Sequence, residues 1–133
     1  MQGPTCARKA IAISGTGDGD AFLRLAAAHS VASLSRLQNY SLTEAVKSVA
    51  GSNGALQRSA GPRWGVTGEG EGGFIGIELD EEHVTRSTGR LEKLRRGNVV
   101  CDYNCGGMWR AWVEPGQNGK DVERIMVFRE EYE

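Results

Sequence analysis

No sign of charge dominates this sequence: sixteen Lys and Arg stand against seventeen Asp and Glu over 133 residues, a formal net charge of −1. A chain so balanced carries no electrostatic footprint for nucleic acid or an anionic membrane surface, so neither is expected as a partner. Long apolar runs are missing as well. None approaches the roughly 18 residues of a membrane span, and no transmembrane helix is expected. Cysteine is scarce and odd in number, with only Cys6, Cys101 and Cys105. That count does not read as a disulfide framework. Cys101 and Cys105 have no second Cys or His pair at ligand spacing, so no metal site and no cofactor is expected, and reduced, partly buried thiols are the plainer reading. The opening MQGPTCARKAIAIS has too short an apolar run for a secretion signal, and a cytoplasmic chain is expected.

Glycine, at 19 residues, is what the chain has in excess, and it predicts backbone positions that need an open φ or close approach. The length suits one domain. Lys9–Ser14, KAIAIS, reads as a short strand, and a Gly/Thr/Asp turn follows. Asp18 or Asp20 can cap one helix carrying Phe22, Leu23, Ala26, Ala27, Val31, Leu34 and Leu37 at helical spacing. Ser41 and Glu44 form a capping box that starts a second helix at Leu42, with Ala45, Val46 and Val49 as its buried stripe and Gly51–Gly54 as its stop. Residues 55–71 read as loop. GGFIGIELD reads as a strand running into a polar turn at Asp80–His83, and residues 84–97 as an exposed charged insertion. NVVCDYN, MWRAWVE and ERIMVFRE read as three further strands, with EPGQNGKD as a hairpin turn between the last two. The order predicts an α+β fold, helices packed on a mostly antiparallel sheet. The first strand has no sequential neighbour, so it must pair with a later strand or with a segment outside this chain.

The turn SGTGDGD is where chemistry concentrates. A strand-to-helix turn aims backbone N–H groups at one spot, which favours an anion or a developing oxyanion. Thr16 adds a hydroxyl, and Gly17 and Gly19 let a ligand approach the backbone. The loop is no phosphate cradle: no Lys follows it, its glycines do not make GxGxxG, and Asp18 and Asp20 repel a multiply charged phosphate. A small zwitterion or a carbonyl oxygen fits better. The same residues also suffice for an ordinary capped turn. His29 and His83 have no sequence partner for Ser or Cys catalysis, Asp80–Glu82 reads as solvated, and the sequon at Asn39 lacks a secretion signal to support it.

AISGTGDGDAFLRLAAA resembles the loop and helix in the β-subunit of the plant-type asparaginase family, the threonine-dependent isoaspartyl peptidases. GEGGFIGIELD is similar to that family's GGxGG strand, and YNCGGMWRAWV to its closing FNTxGMYR strand. Three motifs in order over residues 9–113 carry the resemblance. It implies a part of the four-layer αββα sandwich of N-terminal-nucleophile hydrolases, in which a threonine freed by self-cleavage attacks the substrate with its own amine as base. It implies an oxyanion hole made of the Thr16 hydroxyl and the Gly17 N–H, and a substrate-binding set of Thr16, Gly17, Asp18 and Gly19. The implied substrate is a small molecule or peptide with an asparaginyl or β-aspartyl group, no cofactor is involved, and the family assembles as an αβ-derived dimer.

The departures are as informative. The family's TVG-like nucleophile segment and its GRxGDSP-like segment are missing, and Thr5 in MQGPTCARK has no such context. Residues 1–133 are therefore expected to be a single incomplete domain, the C-terminal two-thirds of such a β-subunit, without its nucleophile. TGDGD also resembles glycosylasparaginases, and the long middle segment resembles a taspase-like branch. The alternative reading is a non-catalytic pseudo-enzyme fragment or regulatory subunit of a full-length homologue; a small-molecule binding module using the Gly turn alone is a third. Arg24, one turn into the first helix, is expected to be structural and to face away from the ligand. Trp109, Trp112 and Val113 are expected on an exposed apolar face.

Overall fold

A computed structural model of the chain describes residues 8–85, 89 and 91–129. Ten elements follow in order: β1 (Arg8–Gly17), α1 (Gly19–Arg24), α2 (Ala27–Leu37), α3 (Leu42–Ala50), α4 (Ala55–Ala60), a 3-10 turn (Gly61–Arg63), β2 (Gly72–Thr85), β3 (Leu91–Tyr103), β4 (Arg110–Pro115) and β5 (Asp121–Met126). This is a mixed α/β chain whose sheets are antiparallel. β1, β2 and β3 form a three-stranded sheet in that order, and β4 and β5 a separate two-stranded one. The first strand finds its partner late in the chain, with Ile13 opposite Gly76 and Gly17 opposite Gly72.

Alternation along the strands divides the main sheet into two faces. Ile11, Ile13, Phe74 and Val100 point to one side, where they meet Ala21, Val31, Leu42, Val46 and Leu56 of the helices. α3 begins as its sequence predicts: the Glu44 N–H donates to Ser41 Oγ at 3.2 Å, and the Ser41 N–H to Glu44 Oε2 at 2.9 Å. The sheet adds a second cap. Glu78, buried within the apolar run of β2, accepts the Leu42 N–H at 3.0 Å and holds Lys9 Nζ at 2.6 Å. Lys9 in turn donates to the Tyr40 carbonyl at 2.7 Å. One carboxylate thereby fixes the start of α3 against both β1 and β2.

Three expectations need correction. The single helix from Asp18 to Leu37 is two, broken where Ala26 adopts a left-handed φ of 44°. The break lets Ala21 and Phe22 turn toward Phe74, whose ring centroid lies 5.2 Å from that of Phe22, while Ala27 and Val31 stay in the core. Residues 55–71 are not all loop: Leu56 and Ala60, four apart, bury one side of α4, and the 3-10 turn follows. Asp80–His83 is strand and not a turn, because β2 and β3 make one long hairpin. Its register sets Asp80 opposite Arg96 and Glu81 opposite Arg95. Of residues 84–97, expected as an insertion, Val84 and Thr85 end β2 and Leu91–Gly97 belong to β3, while 86–88 and 90 lie outside the described residues.

β4 and β5 turn back through Gly116–Lys120 as expected, with the Gly116 N–H on the Lys120 carbonyl at 2.9 Å. The hairpin is tied to the end of β3. Arg110, which donates to the carbonyls of Met108, Val127 and Phe128 in its own segment, lies 5.4 Å from the Tyr103 ring centroid, and Arg129 binds Asp102 at 2.9 Å while lying 4.4 Å from the same centroid. The sheet's second face is open. Ile77 is 54% exposed and Val113 55%, and with Ala12, Ile75, Val99 and Trp112 they line an apolar groove of about 500 Å³. Of the expected exposed trio, Trp109 and Val113 are exposed and Trp112 is half-buried. Among the described residues no helix is long and apolar enough to cross a membrane.

Candidate functional site

The Gly turn joins β1 to α1 against the first residues of β2. Gly17 has a φ of +146°, and a Cβ there would lie 2.3 Å from the Glu71 carbonyl oxygen and 2.5 Å from Gly72 Cα. Only glycine lets the two backbones approach so closely. The Asp18 N–H then donates to the Glu71 carbonyl at 2.8 Å, and the Asp18 carboxylate accepts the Gly70 N–H at 3.0 Å. From the other side Asn104 clamps the same segment: its Oδ1 accepts the Gly72 N–H at 2.8 Å and its Nδ2 donates to the Gly70 carbonyl at 2.9 Å. The three stretches singled out in the sequence, TGDGD, GEGG and YNCGG, are thus held together by backbone and side-chain hydrogen bonds.

They enclose an open cleft of about 950 Å³. Thr16, Gly17, Gly72 and Gly73 line it, as does Trp109, which is 81% exposed. The Thr16 hydroxyl has no hydrogen-bond partner among the described residues and is exposed to the cleft. Asp18 lines the cleft as well, but its carboxylate and its N–H are both engaged by the 70–71 segment. Gly19 begins α1, lies outside the cleft lining, and has nothing within 4 Å of where its Cβ would be. The turn therefore offers a ligand one free hydroxyl beside glycine backbone, with the Asp18 amide already spent on holding the turn.

The Gly70 N–H, foremost, holds the Asp18 carboxyl below the ordinary carboxylate range; burial opposes it, and the Asp20 and Ala21 N–H groups and Arg24 assist. A carboxyl with a lowered folded pKa stabilises the fold above the unfolded value, near pH 3.9, and that contribution is lost as pH falls through the lowered value. Asp18→Asn is expected to flatten the acid limb of the stability profile below about pH 4. Acid titration of the folded fraction, wild type against variant, reads this directly; superimposable limbs would show that Asp18 does not couple to the fold.

Sequence reasoning missed part of the wall. Arg24 does not face away from the cleft: it lines it and donates to Glu69 Oε1 at 3.1 Å. Arg63, from the 3-10 turn, reaches the same oxygen at 2.8 Å. Nothing in the spacing of these residues announces the cluster, since Glu69 and Arg24 are 45 positions apart. Cys105 and Met108 also line the cleft, and the Cys105 thiol donates to the Gly107 carbonyl at 3.2 Å. His29 lies on α2, outside the cleft lining, and His83 falls in β2. Thr5 and Cys6 lie outside the described residues. Among the described residues no group of three or more His, Cys, Asp or Glu is placed to hold a metal ion. Compared with known proteins, the chain matches no protein-family model and no curated protein.

Proposed function

We propose that this cleft is the oxyanion and substrate-end subsite of an asparaginase-like amidohydrolase of the N-terminal-nucleophile type, which cleaves asparagine or a β-aspartyl amide. One observation carries the reading: an unbonded Thr16 hydroxyl opens on a cleft floored by Gly17, Gly72 and Gly73, in a turn locked from both sides. When a nucleophilic hydroxyl adds to the side-chain carbonyl of such a substrate, negative charge gathers on the former carbonyl oxygen. Thr16 Oγ–H is placed to donate to it. Collapse of that intermediate expels the amine with a proton, and water then releases the aspartyl acid from the enzyme ester. In this reading the attacking hydroxyl is not among residues 1–133, which carry no TVG-like segment. In the same reading a second sheet covers the open face and completes an αββα sandwich. That open face also favours a second reading, a non-catalytic piece that docks on a full-length homologue.

The 133-residue chain is expected to bind L-aspartate saturably in equilibrium dialysis, and Thr16→Val to weaken that binding roughly tenfold, the worth of one hydrogen bond to a charged group. It is expected to release no ammonia from asparagine by itself. Absence of saturable aspartate binding overturns the proposal. Sustained turnover abolished by Thr5→Ala would place the nucleophile within this chain and overturn the division of labour.

A further inference from the structure

The sequence holds two Asn–Gly pairs, Asn53–Gly54 and Asn118–Gly119. In such a pair no Cβ on the second residue shields its backbone nitrogen, so that nitrogen can reach the asparagine side-chain carbonyl and close a five-membered ring. Ring closure needs the amide side chain free to swing and the following N–H released from its own bond. The fold treats the two pairs differently on both counts. Asn53 is held at three points. Its N–H donates to Gln57 Oε1 at 2.7 Å, its Oδ1 accepts Gln57 Nε2 at 3.4 Å, and its carbonyl accepts an Arg58 N–H. Gly54 is buried at the start of α4, and its N–H donates to the Gly51 carbonyl at 2.9 Å. A Cβ on Gly54 would lie 2.7 Å from the Val49 carbonyl oxygen and 2.8 Å from that of Gly51, so the backbone there has no room to turn. Ring closure at Asn53 requires the start of α4 to come away.

Asn118 stands at the exposed tip of the β4–β5 turn, and its side chain has no hydrogen-bond partner among the described residues. Gly119 is exposed too, with a φ of 69° and nothing within 4 Å of where its Cβ would be. Its N–H donates to the Gly116 carbonyl at 3.2 Å, a bond internal to the tip. The strands are closed separately, by the Gly116 N–H on the Lys120 carbonyl at 2.9 Å and by the pairing of Pro115 with Asp121. The tip can therefore open while the hairpin stays shut.

We propose that Asn118 is a site of spontaneous covalent modification, which turns it into isoaspartate or aspartate, while the fold keeps the same pair at Asn53 intact. The Gly119 nitrogen attacks Asn118 Cγ. The new N–Cγ bond forms as the Cγ–Nδ2 bond breaks, and Nδ2 leaves as ammonia with the proton that Gly119 gave up. Water then opens the succinimide. Attack at the Asn118 main-chain carbonyl leaves Gly119 joined through Cγ, an isoaspartyl bond with a free α-carboxylate. Attack at Cγ restores the ordinary chain as aspartate. Either product puts a negative charge on a neutral tip, and the isoaspartyl form adds a methylene to the main chain of a tight turn.

The test incubates the full chain in mildly alkaline buffer and follows the peptides containing Asn118 and Asn53 by mass after proteolysis, with fragmentation to tell isoaspartate from aspartate. In the folded protein Asn118 is expected to convert at least about tenfold faster than Asn53, because each site reacts only from its locally open form. In concentrated urea, where neither pair is held, the two rates are expected to converge. Asn118→Gln, whose side chain is one methylene longer, is expected to remove the reaction at the tip and leave Asn53 unchanged. Equal rates in the folded protein, or a faster Asn53, overturn the proposal. So does an Asn118 that stays intact while the urea sample converts. A difference that persists unchanged in urea belongs to the flanking sequence and overturns the protection by the fold.

Discussion

Gly17→Ala is expected to cost at least about 3 kcal/mol, combining about 1–3 kcal/mol for a non-glycine residue at such a φ with the overlap it creates. The new methyl group would meet the Glu71 carbonyl oxygen at 2.3 Å and Gly72 Cα at 2.5 Å. Both obstacles are backbone, so no side-chain rotation relieves them. Relief requires β1 to part from β2 at its last rung, and that breaks the Asp18 N–H bond to Glu71 and the Gly70 N–H bond to the Asp18 carboxylate with it. Against a total stability of about 5–15 kcal/mol for a domain, the loss is large. Gly19→Ala, two residues on, is the internal control: its Cβ meets nothing within 4 Å and its backbone is already helical. There the change removes a flexible residue and is expected to be neutral or slightly stabilising. Urea unfolding of both variants checks the pair, and equal midpoints for the two would contradict the account of Gly17.

The purified chain is also expected to self-associate. Ile77, Leu79, Val99 and Val113 leave apolar surface in water on the face that carries no helix, and both outer strands of the main sheet have unpaired edges among the described residues. Apolar patches of this kind, and open edges, drive association. Ile77→Lys with Val113→Lys is expected to weaken it about a hundredfold or more, since burying each side chain is worth about 1.5–3 kcal/mol. Sedimentation velocity over a concentration series gives the answer. A wild type that stays monomeric throughout would show that the face is satisfied within the chain.

Local signals in the sequence proved readable where the chemistry is local. Ser41 and Glu44 sit three apart and cap each other, so α3 could be placed from sequence alone. The Gly116–Lys120 turn between β4 and β5 is equally self-contained. The failures share a cause in distance along the chain. Asp80 and Glu81 look like a turn until Arg96 and Arg95 are set opposite them. Ala26 has no turn propensity of its own, so the break there, which accompanies the seating of Phe22 on Phe74, has no local signal. At the site, Thr16 and Gly17 were legible because the turn is written contiguously. Arg63, Glu69 and Asn104 were not, because each matters only through residues far away in sequence.

The same distances set an order of assembly. β2 and β3 are neighbours in sequence, so their pairing is local and rapid. β1 must close a long loop before it gains a partner: the bond from Gly70 to Asp18 spans 52 residues. The Thr16 turn is therefore among the last parts of the sheet to form, and β1, at the edge, is among the first to fray. Amide protons of β1 should exchange sooner than those of the central strand. A ligand that binds the cleft only in the closed arrangement would slow that exchange in proportion to its occupancy and couple the opening of an edge strand to the ligand's concentration in solution.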